Sequence, residues 1–360
     1  MVISFSLGAT LLGQSPTASS PKSTSPVPTP SALPSMTPTM QQSVDSLGEA
    51  DLHAALAAVK SNFTNPDALT ETELNRATLT GLLVRLPGGL MLLPNREAAS
   101  TEGTGPFYSE IFEGHIGYLR VGEFDASNLK EIDKKLPEFG QKKVDALIID
   151  LRASSGGDFA NAAEFAKRFC PKGKALFSVR KPGARQDRQF TSDRDAAFQG
   201  LMVLLVDNDT AGGAEAFAAV VRLYNKALVI GQPSAGRAVE YSDSVLPSGK
   251  TLRVASAEAV LPDGQSLFPG GVKPDLPVEL SIADKRQIFR QSAEKGMAQF
   301  VYETERPHLN EAALIAGTNP ELEIPDTQRR SRARSAQAPR DSVVQRALDV
   351  VTSLEVYQKR

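Results

Sequence analysis

The stretch "LLVDNDTAGGAEAFAAVV", residues 204–221, joins an apolar run to a run of residues that favours a helix. The apolar part, which begins at Leu201, predicts a buried strand, and the alanines and valines after the turn predict a helix. Gly212 and Gly213 stand at the helix start, although glycine costs about 1 kcal/mol against alanine inside a helix. Either the backbone at these glycines must come close to another group, or a side chain that once had a function in the turn has been lost.

The same strand–turn–helix order recurs on either side of this stretch. "GHIGYLRVGEF" (114–124) predicts a strand, "NLKEIDKKLPEFGQK" (128–142) an amphipathic helix, and "VDALIIDLR" (144–152) a strand that leads through a Gly-rich turn to another helix. Near-continuous apolar strands are typical of sheets covered on both faces. The alternation therefore predicts an α/β core with a largely parallel sheet.

Composition narrows the function classes. The 360 residues are 41% hydrophobic and 23% charged, with a net charge of −2, which indicates an ordinary globular protein and gives no reason to expect a nucleic-acid partner. His53, His115 and His308 show no metal-binding spacing, so we expect neither a metal nor another cofactor. Cys170 is the single cysteine, so no internal disulfide forms, and its place at a helix end predicts a buried structural thiol.

The first 44 residues indicate export. Residues 1–14 contain an apolar stretch too short to span a bilayer, which we interpret as a signal segment, although no basic residue precedes it. An apolar terminus without a targeting role is the alternative. Residues 15–44 are rich in Ser, Pro and Thr, which predicts a disordered linker. We therefore expect an extracytoplasmic location.

Three further segments complete the expected organisation. Residues 45–104 predict a helical N-terminal subdomain, in which Leu52, Leu56, Val59 and Phe63 lie near one helix face. Residues 105–282 form the expected core, and residues 283–360 a C-terminal helical extension with a basic linker. The sequence does not set the oligomeric state.

Four motifs in order resemble the C-terminal processing peptidases, also called tail-specific proteases, over about residues 106–280. The resemblance implies a ClpP/crotonase-like α/β peptidase core, with a helical N-terminal arm and a C-terminal helical tail that contains "DSVVQRALDVV" (341–351). The motifs are "IGYLRVGEF" (116–124), "LIIDLRASSGGDFANAAEFAKRF" (147–169), the opening stretch with "VIGQPSAGR" (229–237), and "LPDGQSLFPGGVKPDLPVEL" (261–280).

The resemblance places the family's catalytic residues on three altered positions. Gly212 stands where the family has its serine nucleophile, and Arg237, 25 residues later as in the family, stands where it has a lysine base. Tyr241 stands where a supporting glutamine is expected. Glycine has no oxygen to acylate, and arginine does not give up its proton in a protein. We therefore expect a degenerate site and a non-catalytic protein.

An active serine-type peptidase with a different nucleophile and base is the alternative interpretation. Ser154, Ser155 and Ser234 lie in the loops expected around the site. Such a serine would still need a base, and neither a neutral lysine nor a histidine stands at a matching position.

The anion-binding half of the family's site is present in the sequence. The resemblance places oxyanion donors at Gly213 and at the pair Gly156 and Gly157, and backbone N–H groups at a helix start attract negative charge. Arg237 would add a fork for a carboxylate, so the expected partner is a peptide or a protein C-terminus, bound by a peptide-binding or scaffold protein.

A structural interpretation of the same residues stays open. The glycines would then allow tight packing between strand and helix, and Arg237 would form a salt bridge to Glu215 or Glu240. In either interpretation, a serine restored at position 212 is expected to cost no stability, because serine is well tolerated at a helix start.

Overall fold

The structure is a computed structural model that describes residues 40–94, 106–152, 154–156, 158–225, 227–302 and 339–358. Its contacts divide the chain into two compact units, residues 1–74 and residues 75–360. The expected signal segment, most of the disordered linker and the basic linker lie outside the described residues.

The N-terminal segment is helical, as predicted. Leu52, Leu56, Val59 and Phe63 are nevertheless 40–55% exposed, so the described residues do not bury the apolar face of their helix. The helical elements here are α1 (Met40–Asp45), α2 (Glu49–Asn62), a short 3₁₀ turn (Pro66–Leu69) and α3 (Glu71–Arg85).

A six-stranded sheet forms the centre of the second unit. Its strands are β2 (Tyr108–Phe112), β3 (Ile116–Arg120), β4 (Ala146–Asp150), β7 (Leu201–Val206), β8 (Leu228–Gly231) and β11 (Leu276–Pro277). Their order is β11-β8-β7-β4-β3-β2. All pairs are parallel except the β2–β3 hairpin, which confirms the largely parallel sheet of the sequence analysis.

Helices cover both faces of this sheet. In β4, Leu147 and Ile149 belong to one hydrophobic cluster, and Ala146 and Ile148 belong to another on the opposite face, which explains the continuous apolar run. Among the residues described, no helix is both long and apolar enough to cross a membrane. The helices are α4 (Ala126–Gln141), α5 (Phe159–Ala166) and α6 (Gly213–Asn225) against the first cluster, and α7 (Ile282–Lys295), α8 (Ala298–Val301) and α9 (Ser342–Gln358) against the second.

A second, antiparallel sheet lies in the same unit. Its strands are β1 (Leu90–Leu93), β5 (Ala175–Arg180), β6 (Arg188–Thr191), β9 (Val239–Val245) and β10 (Thr251–Val260). The long β10 pairs with β1, β5 and β9. Although β1 falls in the segment expected to be a helical subdomain, the structure joins it to the core through this pairing.

A buried ion-pair network fastens α9 to the end of β4. The Arg152 guanidinium donates to Asp150 Oδ2 at 2.6 Å and to both carboxylate oxygens of Asp341 at 2.8 Å. Tyr118 also donates to Asp150, at 2.6 Å. Burial acts to raise the pKa of Asp150, but the charge and hydrogen bonds of Arg152 outweigh it and hold the pKa below its usual value.

The structure confirms that Cys170 is buried. The thiol belongs to the cluster beneath α5 and α6, and burial raises its pKa from 9.0 to about 12. Because the thiolate is the reactive form, this cysteine fills space in the core, as the sequence predicts.

Candidate active-site cleft

Three loops meet at Gly212. The residue has a φ of +61°, and a Cβ built on it would lie 3.7 Å from the Gly156 Cα and 4.0 Å from the Arg237 carbonyl oxygen. The structure therefore brings together Gly212, Gly156 and Arg237, which the sequence analysis assigned to one site. Gly157 lies outside the described residues.

Backbone hydrogen bonds fix the turn that carries Gly212. The Thr210 hydroxyl donates to the Leu151 carbonyl at 2.9 Å, and the Ala211 N–H donates to the Ser154 carbonyl at 3.0 Å. On the other side, the Ala235 N–H donates to the Thr210 carbonyl at 2.9 Å. The turn is thus tied to the loop after β4 and to the loop after β8.

The Glu215 carboxylate links the Gly212 turn to the loop after β8 by hydrogen bonds. It is completely buried and accepts hydrogen bonds from the Gly212 N–H at 3.1 Å, the Ser234 hydroxyl at 2.6 Å, the Gly236 N–H at 2.6 Å and the Arg237 N–H at 2.8 Å. Burial raises the pKa of Glu215, and the four hydrogen bonds oppose that rise.

Sequence reasoning missed this role of Glu215. It considered the residue only as a salt-bridge partner for Arg237. An acidic residue in the first turn of a helix was the available signal, because a carboxylate there binds free backbone N–H groups. The structure shows that the N–H of Gly212 is already bonded inside the protein, so it is not a free anion donor.

The two salt bridges that were considered for Arg237 are absent from the described structure. Glu215 bonds to the backbone N–H of Arg237, and Glu240 pairs with Arg188 instead. Within the described residues, the half-buried Arg237 guanidinium has neither an ion pair nor a hydrogen bond. The loop that meets Gly212 therefore carries a cationic side chain without a partner in the described part of the chain.

Arg237 and Tyr241 both contact the turn between α3 and β1. A Cβ built on Gly88 would lie 3.1 Å from the Arg237 Cγ, and the Tyr241 hydroxyl donates to the Gly88 carbonyl at 2.8 Å. Burial raises the pKa of Tyr241, and the nearby positive charge of Arg237 opposes the rise. The two residues thus lie close together and support this turn, which the sequence did not predict.

The serines considered as alternative nucleophiles have unequal access. Ser154 is completely buried, and its hydroxyl has no hydrogen-bond partner in the described part of the chain. The Ser234 hydroxyl donates to Glu215 and accepts from the Val272 N–H at 2.7 Å. Ser155 alone of the three is exposed.

Gly213 occupies the first position of α6 and is buried. Its N–H can find no partner within the helix, as for every first helical residue. The sequence analysis expected Gly213 to be an oxyanion donor at a helix start. In the structure Gly213 does begin α6.

The expectation that a serine at position 212 costs nothing does not fit the structure. Its Cβ would meet only ordinary contacts, so there is space. The φ of +61° is the difficulty, because the left-handed conformation costs a residue with a Cβ about 1–2 kcal/mol. The sequence could not reveal this backbone conformation.

Comparison with known proteins identifies the core. The model of peptidase family S41 matches residues 115–278. The chain is 27% identical over 173 residues to a carboxyl-terminal-processing protease of Synechocystis sp., covering 48% of this chain and 40% of that protein. It is 26% identical over 209 residues to the carboxy-terminal processing protease CtpA of Bacillus subtilis, covering 58% and 42%.

One solved structure has a comparable fold. A putative peptidase from Parabacteroides merdae superposes with a TM-score of 0.50 at 16% identity, covering 67% of this chain and 85% of that one. At this identity the likeness concerns the fold alone. The matched part of the chain covers about two fifths of the length of each of these two curated relatives.

Proposed function

The chain belongs to the C-terminal processing peptidases of family S41, and we propose that it is a non-catalytic member that binds peptides through their C-terminal carboxylates. One observation carries the proposal. The backbone of Arg237 meets Gly212 where the loops converge, and the guanidinium of Arg237 has no partner among the described residues.

The chemistry of these residues argues against acyl transfer. A glycine offers no oxygen to the carbonyl of a substrate, so no acyl-enzyme forms at position 212. An arginine side chain does not give up its proton in a protein, so Arg237 cannot act as a general base. Loss of residues that act as a unit lowers the rate by about 10⁴- to 10⁶-fold.

The same cleft retains groups that attract an anion. The N–H of Gly213 lies at the start of α6, where the helix dipole favours negative charge. The Arg237 side chain adds a permanent positive charge and a planar fork that matches a carboxylate. A peptide C-terminus has this chemistry, and it is also the substrate end after which the matched relatives are named.

Peptide binding tests the proposal. The probe is an unstructured peptide with an apolar C-terminus, prepared with a free carboxylate and with an amide, and titrated by calorimetry. Arg237→Met keeps the methylene stem that packs on Gly88 and removes the charge. We expect it to weaken binding of the carboxylate peptide by about 1.5–3 kcal/mol, and to leave the amide peptide unchanged.

Arg188→Met is the matched control, because Arg188 forms an exposed pair with Glu240 and such pairs contribute little. It should leave binding of both peptides unchanged. If Arg237→Met binds the two peptides as the wild type does, or if the wild type does not distinguish them, the carboxylate site is wrong.

An active serine peptidase is the second candidate, and the exposure of Ser155 is what favours it. Ser155 directly precedes Gly156, whose backbone faces Gly212. No basic side chain is hydrogen-bonded to its hydroxyl in the described structure. A serine-reactive phosphonate probe separates the candidates: stoichiometric labelling of Ser155 supports the peptidase, and an unlabelled protein supports the binding function.

An extracytoplasmic location belongs to the same proposal. It is supported by the apolar stretch within residues 1–14 and by the Ser/Pro/Thr-rich composition of residues 15–44. Mass spectrometry of the protein from an extracytoplasmic fraction should find its N-terminus beyond Gly13. Cytosolic protein that retains Met1 would refute this location.

A further inference from the structure

A cluster of three potential ligands lies apart from the cleft, where β3 and β4 begin. His115, Asp145 and Glu355 each offer one ligand atom, and these atoms lie within 4.8 Å of one another. Residue 115 precedes β3, residue 145 precedes β4, and residue 355 belongs to the last turn of α9. The sequence analysis expected no metal site, because residues so far apart in the chain leave no spacing signal.

The backbone brings the first two ligands together. Ile116 pairs with Ala146 in the parallel register of β3 and β4, and the Asp145 N–H donates to the His115 carbonyl at 3.1 Å. Positions 115 and 145 are therefore adjacent at one end of the sheet. This alignment does not depend on the conformation of either side chain.

The imidazole of His115 is oriented by a group outside the cluster. Its Nδ1 lies 3.0 Å from the carbonyl oxygen of Glu113. Because a carbonyl only accepts hydrogen bonds, Nδ1 must carry the proton, and in the neutral ring Nε2 presents its lone pair. Histidines that bind metals are typically held in this way.

The Nε2 lone pair points at a carboxylate. It lies 3.1 Å from Oε1 and 3.0 Å from Oε2 of Glu355, and the Glu355 side chain is 16% exposed. Two acceptors at this distance repel each other unless a proton or a metal cation lies between them. In a tetrahedral zinc site with bonds of about 2.0 Å, ligand atoms lie about 3.3 Å apart, which is close to the separation between His115 and Glu355, and all three ligand atoms lie within 4.8 Å of one another.

We propose that His115, Asp145 and Glu355 bind a divalent transition-metal ion of the zinc type. An imidazole with two carboxylates suits zinc, whereas magnesium prefers oxygen ligands alone. Three protein ligands leave the fourth position of a tetrahedral ion to water. None of these three residues belongs to the cleft, so a test of the metal site is independent of a test of the proposed peptide binding.

The ion would fasten the last turn of α9 to the core. Asp341 already fixes the other end of that helix through Arg152. With the metal bound, α9 is tied to the core at both ends: its start near the end of β4, and its last turn where β3 and β4 begin. Because the ion would bind the folded state alone, it would add to the free energy of unfolding.

Calorimetry of the chelator-treated, full-length protein with ZnCl₂ near pH 8 tests the site, since binding requires the neutral imidazole. We expect one zinc ion per chain, and no binding by His115→Ala. Glu355→Gln preserves the shape of its side chain and should weaken binding by more than about tenfold. Excess MgCl₂ should not compete.

His53→Ala is the matched control, because His53 also faces a carboxylate, that of Glu49, at 3.9 Å, but on an exposed helix. It should bind zinc as the wild type does, and so should His308→Ala, whose residue lies outside the described ranges. Thermal unfolding with and without ZnCl₂ gives a second readout: the wild type should gain stability and Glu355→Gln should gain less. Absence of zinc binding by the wild type, or undiminished binding by both His115→Ala and Glu355→Gln, overturns the proposal.

Discussion

At the scale of single residues, the Glu215 carboxylate joins the Gly212 turn to the loop after β8 through hydrogen bonds. Its two oxygens accept four hydrogen bonds, three of them from backbone N–H groups. A carboxylate so placed acts as an internal anion that orders the loop from Ser234 to Arg237. The position of Arg237, and with it the proposed function, therefore depends on Glu215.

Glu215→Gln tests this dependence. The amide NH₂ replaces one acceptor and faces backbone donors, which leaves buried N–H groups unsatisfied. We expect the free energy of unfolding to fall by about 2–4 kcal/mol. Urea denaturation measures the change. Glu131→Gln is the control that should leave it almost unchanged, because the Glu131 side chain is 39% exposed and its partner is the exposed Lys134. A Glu215→Gln protein as stable as the wild type would remove Glu215 from its assigned role.

The pKa of Glu215 adds a pH dependence with a definite sign. The folded state raises this pKa above its ordinary value of 4.5, so the folded protein holds the proton more tightly than the unfolded chain. The contribution is fully present below pH 4.5 and is lost as the pH rises through the raised pKa. The stability difference between wild type and Glu215→Gln should therefore be larger near pH 4 than near pH 7, as urea titrations at both pH values would show.

At the scale of elements, α9 depends on a contact that its own sequence pattern does not contain. Its apolar residues pack on the sheet, but its start is fixed by the buried pair of Asp341 and Arg152. Arg152 also lies two residues after the end of β4, in the segment that leads to Gly156. The Arg152 guanidinium thus fixes the start of α9 and also lies in the segment that leads to the cleft.

Asp341→Asn separates this contact from the packing of α9. The neutral side chain has nearly the same shape, yet Arg152 loses one of its two charged partners in a buried site. We expect a loss of about 3 kcal/mol in the free energy of unfolding. Asp349→Asn, on the exposed face of the same helix, should change it by less than about 0.5 kcal/mol. Equal effects of the two substitutions in thermal or urea unfolding would contradict the anchoring role.

At the scale of the whole molecule, apolar runs predicted most of the core. Continuous apolar strands such as β4 and β7 are typical of sheets covered on both faces, and their alternation with helices indicated the covered parallel sheet. The strand β1 was not predicted, because its pairing with β10 involves residues about 160 positions away, and pairing across such a distance leaves no local pattern.

The site was predictable to the extent that its residues lie in motifs. Motif order placed Gly212, Gly156 and Arg237 together, and the structure does bring them together. The contacts of Tyr241 and Arg237 with Gly88, and the positive φ of Gly212, depend on tertiary packing and could not be read from the motifs. The proposed zinc ligands come from three separate segments for the same reason.

Peptide hydrolysis by the purified wild-type protein tests the central claim most directly. Unstructured peptides with free C-termini are incubated with the protein, and mass spectrometry follows cleavage. Because Gly212 cannot be acylated and Arg237 cannot accept a proton, we predict no cleavage above that in buffer. Cleavage that stays proportional to the protein at constant specific activity through successive purification steps would contradict the account.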